Sequence, residues 1–432
     1  MANLWSFRQY ATVHHAHLWG TRETKYNILS NNDISTTQWT TLAPRSPFYL
    51  FTPQDIDLQV EYEQGWKITE LMPINGVGIT TARDHIVIDY EEITLIERAK
   101  QFRDSSATDT DLCQQMDIPL KKGWSVSKAR KLIRAETDLR QFVKPIMYRP
   151  FDERLIFYHD SLVWRTVKQI MHHMQAGKNL GLSTTRSIEI GRGWEHVFCT
   201  SDLIQHHTVS IKEVNYLFPL YIYPENNNEV GLFDLGGITN VPGSRRPNLA
   251  SEFTTELTKK TTLKFVLDGK GDLYDTFGPE DVFSYIYAIF HSRNYRSRYA
   301  AELKKDFPRV PLTSRNSLFR TLCSLGNNLV TLHLMEKKLS GTPGFNISGS
   351  DAIEAVCYTE PGQDAEQGRV WINKEQYFEG ISPEVWNFYI GGYQVCHKWL
   401  KDRKGRTLEY DDINHYQQIV AVLAETIRLM TE

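Results

Sequence analysis

No phosphate-binding G-x-x-x-x-G-K-[ST] loop occurs in these 432 residues, so the usual backbone cradle for ATP phosphates is missing and a motor residing in the chain itself is not expected. All 17 prolines are isolated. This excludes the Asn or Asp, Pro-Pro and aromatic segment that commonly holds an amine and stacks a flipped base for amino-methyl transfer. The five cysteines, Cys113, Cys199, Cys323, Cys357 and Cys396, lie far apart with no C-x-x-C pair, so neither a disulfide framework nor a zinc knuckle is indicated and they read as reduced thiols. No apolar run approaches the roughly eighteen residues that span a bilayer, and "MANLWSFRQY" lacks the basic-then-apolar layout of a signal peptide. The expectation is a cytoplasmic chain with no membrane partner. Positive charge is not in excess either: 49 Lys and Arg face 52 Asp and Glu, a net charge of −3. Any contact with nucleic acid must then come from patches clustered on one face.

Other catalytic signals are equally sparse. No G-x-S-x-G nucleophile elbow is found, and Asp and Glu are too scattered to nominate a pair. The "HHAH" of His14, His15 and His17 and the pairs His172/His173 and His206/His207 lack the H-E-x-x-H or carboxylate-paired spacing of a metal site. They read as surface or strand-end histidines. "NGVGITTA" lacks the third glycine and the βαβ context of a dinucleotide loop and reads as a turn. The residues alone do not describe an enzyme.

What is present is an α+β pattern. Short strands and turns are expected from about residue 10 to 90, including "FYLFTP", and amphipathic helices over 92–142. Strand text returns in "VKPIMYRPFDERLIFYHD", "NLGLSTT", "HVFCTS" and "YLFPLYIYPE", with a helix at "TVKQIMHHMQ". An Asn-, Gly- and Pro-rich loop over 225–250 separates this mixed-sheet part from a mainly helical C-terminal part with short strands. There "GPEDVFSYIYAIFH" sets Val282, Ile286, Ile289 and Phe290 on one face. A second helix carries a stripe of Leu318, Leu322, Leu325, Leu329 and Leu332, with Ser314 as its N-cap. A closing helix does the same with Ile413, Tyr416, Val420, Leu423 and Ile427, and "RVWIN" is an intervening strand.

Four basic clusters are candidate nucleic-acid contacts. "FHSRNYRSRYAAELKKDFPRVP" offers Arg293, Arg296 and Arg298 for phosphates, beside a buried stripe of Tyr295, Tyr299 and Leu303; Lys304 and Lys305 read as plain surface. "KKGWSVSKARKLIR" places Lys128, Arg130, Lys131 and Arg134 near Trp124, with Arg130 and Arg134 four apart on one helical face. Two loops carry side chains suited to base edges: Arg186 and Arg192 in "TTRSIEIGRGWEH", and Arg245 and Arg246, with Asn248, in "GSRRPN". Each cluster has an alternative reading as solvated surface or ordinary connector.

Long phrases of the chain resemble the C-terminal region of type ISP restriction-modification enzymes, polypeptides that combine nuclease, ATP-dependent translocase, adenine methyltransferase and target-recognition parts. They are "LWGTRETKYNIL", "GVGITTARDHIVI", "YRPFDERLIFYHDSLVWR", "PEDVFSYIYAIFHSRNYRSRYAAELKKDFPRVPLTS", "LFRTLCSLGNNLVTLHLME" and "VWNFYIGGYQVCHKWLKDRKGRTLEYDDINHYQQIVAVLAETIRLM". The resemblance implies a target-recognition module for duplex DNA that works with methyltransferase and translocase-nuclease modules in cis or in trans. S-adenosylmethionine, ATP and Mg are implied only for those other parts. It further implies that 1–45 is like the tail of a methyltransferase domain. The remaining expected divisions are an α+β recognition subdomain at 46–224, a linker at 225–262 and a mainly helical subdomain at 263–432. An isolated module, a piece of a longer product and a stand-alone relative all fit this pattern. Two other functions stay open: a trimmed adenine methyltransferase that still binds S-adenosylmethionine, and a protein-interaction scaffold built on the leucine-striped helices.

Overall fold

The structure, a computed structural model, describes residues 11–46, 49–118, 123–188, 193–224, 245–345, 347–362 and 367–432. Two units divide the chain, Met1–Glu63 and Gln64–Glu432. In the first, an antiparallel pair joins Val13–His15 to Thr40–Leu42, and the helix Arg22–Asn31 starts at a Thr21 cap whose hydroxyl accepts from the Thr24 N–H. "FYLFTP" forms no strand over its described residues 49–53.

The second unit is α+β, with helices packed around several small sheets. One four-stranded sheet runs in the order Leu203–Ile204, Val143–Arg149, Asp152–Phe157, Ile88–Asp89. Its central hairpin turns through Pro150 and Phe151, and Phe151 sits at φ 60°. That backbone region is unfavourable for a bulky residue, by about 1–3 kcal/mol. Packing holds it there: the buried Phe151 ring lies edge-on to Phe198 at 4.9 Å and to His333 at 5.6 Å.

A second sheet orders Gly76–Val77, Asn215–Pro219, Gly181–Thr185 and Val197–Thr200. The "NGVGITTA" segment therefore contributes a strand rather than only a turn. Its glycine has a local reason, because a Cβ on Gly78 would lie 2.6 Å from the Gln205 carbonyl oxygen. The expected "RVWIN" strand, Arg369–Trp371, is the middle of a three-stranded sheet.

The helices over 92–142 are Glu92–Arg103, Asp109–Gln115 and Val126–Ala135. In the C-terminal part, Pro279–His291 opens with proline in its first turn, and the Asp281 carboxylate accepts the N–H groups of Gly278 (2.9 Å) and Gly271 (2.6 Å). It is buried on every side, not on one face. Its neighbour Asn316–His333 is capped at Arg315, not Ser314, and its buried residues are Phe319, Cys323, Gly326, Leu329, Val330, Leu332 and His333. Leu329 and Leu332 are buried as expected, whereas toward the start of the helix the buried side lies one position on from Leu318, Leu322 and Leu325. Gly326 sets the shift: a Cβ there would come within 1.8 Å of the Ser284 carbonyl oxygen, so only glycine lets the two backbones meet.

Where they meet the closing helix, Tyr410–Leu429, a polar chain crosses the core. Thr426 donates its hydroxyl to Val422 O (2.8 Å) and so accepts from His333 Nε2 (3.0 Å), leaving His333 Nδ1 to accept the Tyr287 hydroxyl at 2.6 Å. Burial, then the nearby Arg296 charge, pushes His333 down to about 3, so the imidazole is neutral.

Candidate nucleic-acid interface

The sequence-predicted cations separate by local structure. In Val126–Ala135 the buried positions Val126, Ala129, Arg130 and Ile133 recur at helical spacing, which turns Arg130 inward. Its guanidinium is 4% exposed, reaches Asp109 Oδ1 at 2.7 Å and the Ala107 carbonyl at 2.8 Å, and also donates to Asp104 O. Arg130 is therefore a buried tie within the fold rather than an exposed cation. Arg134 is exposed, but donates to Arg103 O (3.2 Å) and Asp104 O (3.0 Å), capping the end of Glu92–Arg103. Arg103 returns the contact, donating to Ile133 O (3.1 Å) and to Glu136 O. Lys128 and Lys131 stay on the exposed side.

The opening cluster splits in the same way. Arg293–Arg298 is a short helix capped by Ser292, and Tyr295, Tyr299 and Leu303 are buried as expected. Arg293 and Arg298 are exposed; Arg293 pairs with Glu384 at 3.1 Å. Arg296 folds inward instead. Its Nε donates to Phe290 O at 2.6 Å, its guanidinium lies 5.9 Å from the Trp194 ring, and burial lowers it to about 10 despite the Glu195 charge. A phosphate contact from Arg296 is thereby corrected to a contact within the fold, and the reason is the Phe290 carbonyl at the end of the preceding helix, which draws the guanidinium back toward Trp194.

On the loops, Arg186 is exposed and shares Asp306 with Lys67, at 2.9 and 2.6 Å. Arg192 lies outside the described residues. Arg245 stacks 3.7 Å over Tyr221, pairs with Asp268 at 2.8 Å and donates to Lys178 O at 2.7 Å, while Arg246 is exposed. Asn248 is buried and ties Ile74 to Pro219, so it is structural.

The sequence singled out none of the residues in the densest arginine–tyrosine cluster. Asp152, 1% exposed, holds Arg154 through Oδ2 at 2.6 Å and Arg403 through Oδ1 at 2.9 Å. Burial would raise this carboxyl, but the two guanidinium groups bring it below the usual range. The arginines lie against rings: Arg154 over Tyr148 (4.0 Å) and Tyr90 (4.6 Å), Arg403 over Trp399 (3.5 Å), Arg406 over Tyr90 (4.0 Å). This hub joins the "YRPFDER" hairpin to the Val395–Lys401 helix and the turn after it. At its outer edge Arg149 enters a cleft of about 400 Å³ that also takes in His207, Tyr393, His397, Lys398 and Lys401. The run "KWLKDRKGR" was the available signal, but its partners Arg149 and His207 are remote in sequence.

Among the described residues no group of three or more His, Cys, Asp or Glu is arranged to hold a metal ion, and no helix is long and apolar enough to cross a membrane.

With this α+β unit and its basic surface in place, the family can be named. A family model described as the Type ISP C-terminal specificity domain matches residues 70–432, and the chain belongs to that family. Three solved structures share the fold. One is a nuclease-deletion mutant of the Type ISP restriction-modification enzyme LlaGI in complex with a DNA substrate mimic (TM-score 0.64, 17% identity, 97% of this chain and 32% of that one). Another is the DrdV–DNA complex (0.71, 15%, 97% and 43%). The third is the ATP-dependent Type ISP restriction-modification enzyme LlaBIII bound to DNA (0.62, 16%, 91% and 25%). The chain thus spans between a quarter and under half the length of these proteins. Comparison with curated proteins gave no match.

Proposed function

We propose that this chain is a target-recognition module that reads a short asymmetric sequence in duplex DNA. In this reading it delivers that site to adenine methylation and cleavage carried out by methyltransferase and translocase-nuclease modules, in cis or in trans. The observation that carries the reading is the extent of the family match, which takes in residues 70–432 with both the mixed-sheet and the helical parts. The fold shared with three DNA-bound enzymes supports it.

The exposed cations Lys128, Lys131, Arg293 and Arg298 supply sequence-independent phosphate contacts, which position a protein on the duplex, and the exposed Arg186 and Arg246 stand on the loops. Base reading falls to the loops, where an arginine fork matches the O6 and N7 of guanine. Selection from a random duplex library tests the proposal: an enriched asymmetric motif, bound less tightly as salt rises, is expected. Binding with no enriched motif would overturn it.

A further inference from the structure

The cleft beside the Asp152 hub has the chemistry of an anion site. None of the residues lining it is acidic. At its edge, Arg149 is held from behind: Nη1 donates to Tyr148 O (2.6 Å) and Gln205 Oε1 (3.0 Å), and the guanidinium lies over the rings of Tyr148 (4.0 Å) and Tyr393 (5.3 Å). Its Nε is buried and has no hydrogen-bond partner in the structure. A buried donor on a charged group is costly to leave unmade. Beside it stand Lys398, which pairs with Asp402 at 2.5 Å, and the exposed Lys401. His397 senses this field: burial first, then Lys401 and Lys398, lower its pKa, and the nearby Asp402 carboxylate only partly opposes them. The opening is flanked by exposed Tyr389 and Ile211.

Each feature narrows the ligand. A planar guanidinium matches phosphate oxygens in a fork, and lysines add compact charge to the same group. Tyrosine faces stack bases regardless of sequence. A volume of about 400 Å³ is within the range of small-ligand sites, so it accommodates one nucleotide rather than a duplex.

The geometry points to this cleft as a nucleotide-phosphate site, in which Arg149 and Lys401 bind the phosphate while Tyr389 and Tyr393 face the attached nucleoside. The phosphate is either that of a DNA strand or that of a free nucleotide. The DNA source rests on the recognition function proposed above; the free-nucleotide source does not.

Two probes separate the sources: a mixed-sequence duplex followed by fluorescence anisotropy, and deoxyadenosine monophosphate followed by phosphorus NMR. Each is applied to the wild type, Lys401→Glu and Arg149→Lys, with thermal unfolding confirming that the variants fold. A strand phosphate predicts that Lys401→Glu weakens duplex binding about tenfold at low salt and lowers the slope of log affinity against log salt by about one or more. Arg149→Lys, which keeps the charge and loses the fork, should weaken binding with little change in slope. A free nucleotide predicts saturable monophosphate binding that both variants abolish, with duplex binding unchanged. If the wild type binds duplex and neither variant alters duplex or monophosphate binding, the cleft is overturned while the recognition function stands. If the wild type binds no duplex but binds monophosphate through Lys401, the recognition function fails and the cleft stands. Binding of neither probe overturns both.

Discussion

Replacing Asp152 with asparagine keeps the side-chain shape and removes the carboxylate shared by Arg154 and Arg403. The three side chains are 2%, 12% and 5% exposed, so the two guanidinium groups cannot turn to water for compensation. Removing one partner of a buried ion pair costs about 3–5 kcal/mol, because the partner left behind is a buried uncompensated charge. Here Asp402 lies 3.5 Å from Arg154 and Asp412 lies 3.9 Å from Arg403, and both keep some attraction after the change. That places the expected loss near the lower end, about 3 kcal/mol. Urea unfolding followed by tryptophan fluorescence measures it, with Trp399 in the hub as a reporter. Since the Asp152 carboxyl lies below its ordinary range in the folded protein, its contribution is present above the unfolded carboxylate value and is lost as pH falls through the folded one. The difference between wild type and Asp152→Asn should therefore shrink in strong acid. A loss under about 1 kcal/mol at neutral pH would refute the reasoning, because it would mean that the arginines are held by their ring contacts and not by the carboxylate.

Other positions give independent tests. Arg130→Ala should destabilise by about 2–3 kcal/mol in the same assay, since it empties a buried site and removes the donor from the Ala107 carbonyl and Asp109, whereas Lys131→Ala, one residue along and exposed, should stay within about 0.5 kcal/mol. Gly326→Ala drives a methyl into the Ser284 carbonyl and should cost about 3 kcal/mol or prevent folding, read by circular dichroism and urea midpoint. Acid should destabilise the protein below about pH 6.5, because burial holds His173 down at about 4 and His333 at about 3, and holds His291 well below its ordinary value. A depressed histidine leaves the unfolded chain binding more protons, so its stabilisation is complete above about 6.5 and shrinks as pH falls, by about 2 kcal/mol per group at pH 5. The buried carboxyls of Glu153, Glu195, Asp202 and Asp281, raised by burial, offset part of this at lower pH. His333→Gln should remove about one proton from the slope of stability against pH; an unchanged slope would place that proton elsewhere.

Periodicity located the long helices because their stripes are local signals, and the hairpin of "VKPIMYR" and "DERLIF" followed from its β-favouring residues. Details set by a neighbour were not legible. The inward face of Asn316–His333 is chosen by Gly326 meeting Ser284, a contact between residues 42 apart, so Leu318, Leu322 and Leu325 were read one position early while Leu329 and Leu332 were placed correctly. Arg130 and Arg296 look like surface charge in a one-dimensional reading, yet carbonyl groups at or beside helix ends draw both inward. The "FYLFTP" strand failed because β-favouring residues need a partner strand, and its described part has none assigned. Least legible was the Arg149 cleft, since Arg149, His207 and Lys398 come from three distant segments that only the folded chain brings together.

The central claim is that the chain reads sequence, and the most direct measurement is the ratio of its affinities for the duplex motif enriched by selection and for a scrambled duplex, at one physiological salt concentration. The account predicts a ratio of about 10³ or more, with single base changes in the motif each costing about 1–3 kcal/mol. A ratio near one, with both affinities falling together as salt rises, would contradict it.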